Sequence, residues 1–238
     1  MKFKIKQYEF LYELKTVPFI ATLVALIILL SLSGWQIKRL YWKEALISER
    51  IFRFENESVK LEDIKDPKSS EFRKVLVKGK FLNDNEMFMP ALSKRGNNGY
   101  HILVPLKIAD KLFIFDRGWI PLKRKDREKR LLNEISELHE IEAVIRLPGK
   151  KGRYQPDNEP ENNFWFFVEP NLMSEYTGMN LQADFYLEAK NNGPNNSPLG
   201  NQTRIYIRNN HLQYAITWFL ISCGLIGVYL ASSIKRLK

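Results

Sequence analysis

The chain has 238 residues, 37 Lys and Arg against 27 Asp and Glu, a formal net charge of +10 and a mean hydropathy of −0.32. That length sets one or two domains. A charge this basic raises nucleic-acid binding, but no helix-turn-helix, finger or RNA-binding signature accompanies it, and Lys and Arg beside apolar spans serve anionic membrane lipids as well.

Residues 1–16 form a short basic head, Lys2, Lys4, Lys6 and Lys15 against Glu9 and Glu13, whose alternation of apolar and polar residues leaves its structure open. Residues 17–37 carry no charge and are long enough for a first transmembrane helix. The run exceeds a signal-peptide core and lacks a small-x-small cleavage site followed by a break. The helical pattern instead continues through Lys43 and on from Glu44 to Phe54, so the segment reads as an uncleaved anchor. No Arg-rich, acid-poor leader precedes it, which points to a bacterial inner-membrane protein. Trp35, Arg39, Trp42 and Lys43 share one helical face, as an interfacial aromatic belt with snorkelling cations would.

Hydropathy is negative overall despite two apolar spans, so residues 38–211 must form a polar, water-soluble domain, roughly 170 residues and enough for one core. Leu61 to Ser70 is a connector. Lys74 to Phe81 alternates Val75, Val77 and Phe81 with lysines, a half-buried strand. Strands are predicted at Glu86–Pro90 and Tyr100–Ile108. Ala109-Asp110-Lys111 then turns into a hairpin partner at Leu112–Arg117, closed by Gly118-Trp119-Ile120-Pro121. Residues 123–138 are highly charged, and Leu131, Ile135 and Leu138 fit a helix with a narrow apolar stripe whose basic side is solvated. A strand follows at Glu140–Leu147, then a long surface loop to Asn163. Phe164–Val168 reads as a short buried strand. Pro170–Tyr176, ended by Gly178, is a short helix. Phe185–Ala189 and Arg204–Arg208 are strands separated by an Asn/Pro/Gly loop.

Residues 212–234 are again uncharged, and 23 residues at 1.5 Å rise span roughly 34 Å, a second transmembrane helix. The lone cysteine, Cys223, lies inside it, so no intramolecular disulfide is available. Residues 235–238 are a basic tail. Two spans put both termini on one side, and the basic head and tail make that side the cytoplasm. The architecture expected is therefore a membrane-anchored α+β protein. Two transmembrane helices at the chain ends enclose a β-rich, mainly antiparallel periplasmic domain.

No phosphate loop, nucleophile elbow or HExxH occurs, and the three histidines have no zinc-like spacing with cysteine. Asp157, Glu159 and Glu161 sit on a proline loop and read as solubilising. Asp116-Arg117 reads as a buried pair at a strand end, with Arg117 bonding a turn. A membrane-tethered enzyme or lipid-binding module would instead need a deep polar pocket around His101, Asp116 and Arg117. His211 differs: it is the last titratable group before the second span. His211, Tyr214, Ala215, Trp218 and Ser222 share one helical face. A neutral imidazole there can ligate a metal, haem iron included. Aromatics could pack on a porphyrin, and Arg39, Arg204 or Arg208 could pair with its propionates. The competing reading is a helix-start residue bonded to a loop, with Asn209 or Asn210 capping.

Four motifs then stand in order along nearly the whole chain. They are Gly34-Trp35-Gln36 with Arg39 and Lys43; Gly99-Tyr100-His101 with Val104-Pro105-Leu106 and Arg117-Gly118-Trp119-Ile120-Pro121; Asn162-Asn163 with Trp165; and Asn209-Asn210-His211-Leu212-Gln213-Tyr214-Ala215-Ile216-Thr217-Trp218-Phe219. Together they resemble the surfeit locus protein 1 family of cytochrome c oxidase assembly factors, in a bacterial-type member. Asp116, where the family often has Asn, and Ala143, where Gly is common, depart from the pattern. The resemblance implies a non-enzymatic factor that assists haem a binding, insertion or handover into oxidase subunit I. Its partners would be subunit I and the haem a synthesis machinery, and His211 the candidate iron ligand. Tyr214, Trp218, Trp35 and Arg39 would line the cofactor. The alternative is a non-haem scaffold that stabilises oxidase intermediates through its extramembrane domain.

Overall fold

The structure, a computed structural model, describes residues 2–5, 8–135 and 137–237. Its elements in chain order are β1 (Lys2–Ile5), β2 (Tyr8–Tyr12), α1 (Thr16–Glu55), β3 (Val59–Lys60), β4 (Lys74–Phe81), β5 (Met87–Leu92) and β6 (Asn98–Ile108). There follow β7 (Lys111–Pro121), β8 (His139–Arg146), α2 (Pro170–Thr177), β9 (Tyr186–Ala189), α3 (His211–Ser233) and β10 (Ile234–Leu237). Two compact units divide the chain: one holds the residues up to Ser48 and from Tyr206, the other is Glu49–Ile205.

In the first unit, α1 and α3 are each long and apolar enough to cross a membrane. Their buried and half-buried residues form matching stripes, Leu26, Leu29, Ser33 and Gln36 on α1 and His211, Ala215, Trp218, Ser222 and Tyr229 on α3. Small residues sit in this seam, as close helix packing in lipid favours. Ser33 Oγ donates to the Ala215 carbonyl at 3.0 Å, and the Phe19 and Tyr229 rings lie 5.9 Å apart. The alternation left open in the basic head resolves as two paired strands. β2 pairs antiparallel with both β1 and β10, giving a three-stranded sheet. Lys15 Nζ donates to the Ser232 carbonyl at 2.8 Å, a cation on the free carbonyls at the end of α3.

The second unit is a small barrel. β4, β8, β9, β7 and β6 neighbour one another in that order, and β4 pairs again with β6 through Lys80↔Lys107 and Phe81↔Leu106, closing the ring. The β7–β9 pairing is parallel and the other four are antiparallel; β3 and β5 extend the sheet outside the ring. Alternation along each strand sends Val75, Val77, Phe81, Ile102, Val104, Leu106, Phe113, Phe115, Ile145 and Leu187 inward to one core. The opposite face carries Met87, Leu103, Ile114 and Tyr186 into a second core beneath Trp165, Val168, Met173 and Leu181. α2 begins with Pro170 and ends at Gly178, in a left-handed conformation, as its sequence predicts.

Three local expectations fail for physical reasons. Among the described residues of 123–138 there is no α-helix; two short 3-10 segments, Leu122–Arg124 and Arg127–Asn133, stand instead. Arg130 is turned inward to Glu86, and Arg127 clamps both Glu134 and Asp84, so the basic face is partly consumed by the fold. Phe164–Val168 is no strand. Phe164 makes only isolated bridges, and Trp165 is inserted fully into the second core. Arg204–Arg208 alternates like a strand yet joins no ladder, since a period of two requires a neighbouring edge as well.

Candidate functional site

The first turn of α3 faces α1 through one polar contact. His211 Nδ1 and Gln36 Oε1 are 2.7 Å apart. An amide oxygen only accepts, so Nδ1 donates in this contact, and in a neutral imidazole the Nε2 lone pair is then free. This is the tautomer a metal-ligating imidazole needs, held by the kind of outer partner that fixes ligand orientation. Asn210 is the residue before the helix, but its side chain makes no cap bond. Its amide, oriented to accept, instead takes Arg208 Nε and Nη2, both at 2.8 Å.

The other predicted residues distribute around this contact. Trp218 is half-buried in the seam one turn beyond Ala215, while Tyr214 is 52% exposed and points out of it. Trp35 is also 52% exposed, and the Arg39 guanidinium stacks 4.4 Å from the Trp42 ring centroid. The seam thus joins His211 to Gln36 and leaves Trp35, Arg39 and Tyr214 on the outward surfaces of their helices. Cys223 is exposed on α3. Gln36 escaped the sequence reading as a site residue, although an amide inside an uncharged span is itself a signal.

The barrel holds a second polar cluster. His101 Nδ1 lies 2.5 Å from Asp116 Oδ2, and Asp116 Oδ1 accepts from the Gly118 N–H at 2.8 Å. The strand register sets Asp116 beside Glu188. Glu188 accepts from Arg146, from the Tyr186 hydroxyl at 3.1 Å and from the Thr203 hydroxyl at 2.6 Å. Burial and the neighbouring Asp116 charge raise the Glu188 pKa, against Arg146 and Thr203. Burial pushes the His101 pKa down, but the Asp116 carboxylate more than reverses this and holds it above the ordinary value. The predicted Asp116–Arg117 pair does not form, because successive side chains point to opposite sheet faces. Arg117 instead donates to the Asn133 carbonyl at 2.8 Å and to Asn83 Oδ1 at 3.3 Å. A single deep pocket uniting His101, Asp116 and Arg117 is therefore ruled out by the pleat.

The remaining motifs acquire physical reasons. The Gly99-Tyr100-His101 and Trp119-Ile120-Pro121 stretches are cross-strand partners. Gly118, at φ +114°, lies so close to the following loop that a Cβ would sit 2.1 Å from the Leu199 carbonyl oxygen. Asn163 accepts from Trp165 Nε1 at 3.1 Å and donates to the Glu86 carbonyl at 2.7 Å, which satisfies the indole as it is buried.

Two apolar helices, a seam with one histidine held by an amide, and a small barrel encoded between the helices in the chain define a membrane-anchored α+β protein. The SURF1 family matches residues 23–223. The chain is 30% identical over 227 residues to a SURF1-like protein of Drosophila melanogaster, covering 87% of this chain and 74% of that one. It is 30% identical over 219 residues to a SURF1-like protein of Rickettsia felis, covering 88% and 94%. With surfeit locus protein 1 of Takifugu rubripes it shares 27% over 228 residues, 87% and 93% of the two chains. The chain belongs to the SURF1 family.

Proposed function

We propose that this protein is a non-enzymatic assembly factor for cytochrome c oxidase, assisting haem a on its way into subunit I, with His211 as the residue that would hold the iron. The observation that carries the reading is the 2.7 Å contact from His211 Nδ1 to Gln36 Oε1 at the start of an apolar helix, which in a neutral imidazole makes Nε2 the ligating nitrogen. Haem a, when bound, supplies an iron with a coordination position for one such nitrogen. Gln36 holds the imidazole in the required tautomer. Trp218, Tyr214 and Trp35 offer aromatic surface at the same membrane level, and Arg39 a cation for a propionate. A single protein ligand suits a factor that must release its cargo. The basic head and tail support an orientation with both termini in the cytoplasm of a bacterial inner membrane and the barrel in the periplasm.

The test is the haem spectrum of detergent-purified protein from cells making haem a. Wild type should carry a Soret band that His211→Ala loses. Unchanged binding by His211→Ala would remove His211 as the ligand. Wild-type protein that co-purifies with subunit I but never carries haem would support the scaffold reading instead.

A further inference from the structure

The barrel interior is apolar except at one end. There Arg117, 4% exposed, lies among the inward-facing residues of β7, its guanidinium 5.1 Å from the Phe81 ring centroid. It forms no direct ion pair with any described carboxylate: Glu86 is bonded to Arg130, and Glu134 and Asp84 to Arg127, although Glu86 and Glu134 still favour its charge through space. Its hydrogen bonds go to a neutral carbonyl and a neutral amide. A guanidinium removed from water without a direct counter-ion is unfavourable and is favoured by anything that brings one.

Arg117 also lines a cavity of about 140 Å³ at this end of the barrel, walled by Phe81, Phe115, Ile135 and Ile141. Mouths of β-barrels with apolar walls and one placed polar group are a recurrent ligand-site geometry. Two acids, Glu140 and Glu142, stand on the same lining. Glu142 is partly neutralised by Lys74 at 3.8 Å, whereas Glu140 is exposed. Their charge disfavours a dianion more than a monoanion.

We infer that the barrel mouth binds a carboxylate on a short apolar stem, the carboxylate meeting Arg117 and the stem lying against Phe81, Phe115 and Ile141. Arginine suits this role because its planar fork matches a carboxylate. The ligand is either a free short-chain acid or a glutamate side chain presented by an extended peptide, since both carry the same group.

The experiment is thermal unfolding of the full chain in detergent with rising butyrate, at constant ionic strength kept with chloride. A second arm uses a capped Gly-Glu-Gly peptide with its Gly-Gln-Gly counterpart as control. Butyrate should raise the melting temperature saturably, with half-saturation on the order of millimolar for so small a ligand. Phosphate at equal ionic strength should give no such rise. A glutamate peptide that acts at lower concentration than butyrate identifies the peptide as the source; equal or weaker action identifies the free acid. Arg117→Gln should abolish the saturable rise. Where that variant does not fold, Ile141→Trp, which fills the cavity from the opposite wall, should abolish it. No saturable rise in wild type, an equal rise with phosphate, or a rise kept by a folded variant overturns the proposal.

Discussion

His101 Nδ1 and Asp116 Oδ2 are 2.5 Å apart on the outer face of the barrel, with Glu188 across the sheet from Asp116. Two acids, one base and Arg146 thus meet at one site, Asp116 buried and the others half-buried, and their titration ties barrel stability to pH. His101, raised above its ordinary value of 6.5 by Asp116 against the effect of burial, stabilises the fold fully below that value. It loses this contribution as pH rises through the raised one. Glu188, raised above 4.5 by burial, also favours the protonated fold, so its contribution likewise falls as pH rises. The two add in the same direction. Thermal unfolding in detergent should therefore give a higher melting temperature at mildly acidic pH than at pH about 8. His101→Asn should flatten the part of that dependence above pH 6.5 and, by removing a charge that lowers Glu188, raise the Glu188 pKa further.

Gly118 joins this cluster to the loop that follows β9. Its N–H serves Asp116, and the next residue exchanges two backbone hydrogen bonds with Leu199, at 2.9 and 2.8 Å. Any Cβ at position 118 meets backbone rather than a side chain that can swing away. Gly118→Ala combines left-handed strain with this overlap and should cost more than about 4 kcal/mol. That is a large share of a typical domain's stability. The measure is the yield of folded protein and its melting temperature against wild type.

The legibility of this chain followed the range of the interactions involved. Alternation placed β4, β6, β7 and β8 within a few residues because each has one face in the barrel core, a signal carried by the strand itself. The closure of the ring was not readable, since it rests on two residue pairs, Lys80↔Lys107 and Phe81↔Leu106. Arg130 shows the opposite failure. Its neighbours Lys125 to Arg127 look like a solvated face, and nothing local announces that Glu86, 44 positions away, draws it inside. At the membrane seam the histidine was readable and its partner was not, because Gln36 and His211 lie 175 positions apart.

Gln36 is the residue on which the haem reading can be sharpened. Gln36→Leu leaves the span apolar but frees the imidazole to rotate and to change tautomer. Removing such an outer partner typically lowers metal affinity about 10- to 100-fold. Gln36→Leu should therefore retain less haem a per protein than wild type, while His211→Ala retains none. Gln36→Glu, whose carboxylate also accepts from Nδ1–H, should retain haem at or above the wild-type level. The Soret absorbance per protein after identical purification compares all four. A Gln36→Leu protein as fully loaded as wild type would show that the contact only packs the two helices.

The pair Arg130–Glu86 explains how a highly charged segment is held without a helix. Arg130 Nη1 and Nη2 donate to Glu86 Oε1 and Oε2 at 2.9 and 2.7 Å, with the two residues 3% and 8% exposed. Nη2 also reaches the Lys125 carbonyl at 3.1 Å. The network is incomplete, because Arg130 Nε is buried with no partner among the described residues. Desolvating two charges offsets much of their attraction, so the pair adds little over an apolar match, whereas one member left alone is expensive. Arg130→Met, which strands the Glu86 carboxylate, should cost about 3–5 kcal/mol, and Glu86→Leu, which strands the guanidinium, a similar amount. The double variant Arg130→Met/Glu86→Leu should be far less destabilised than the sum, returning to within about 2 kcal/mol of wild type. Melting temperatures of the four proteins in one detergent form the cycle. Additive losses would mean that the two side chains act separately, and the inward turn of the Arg127–Asn133 segment would then rest on Arg127 and its two carboxylates.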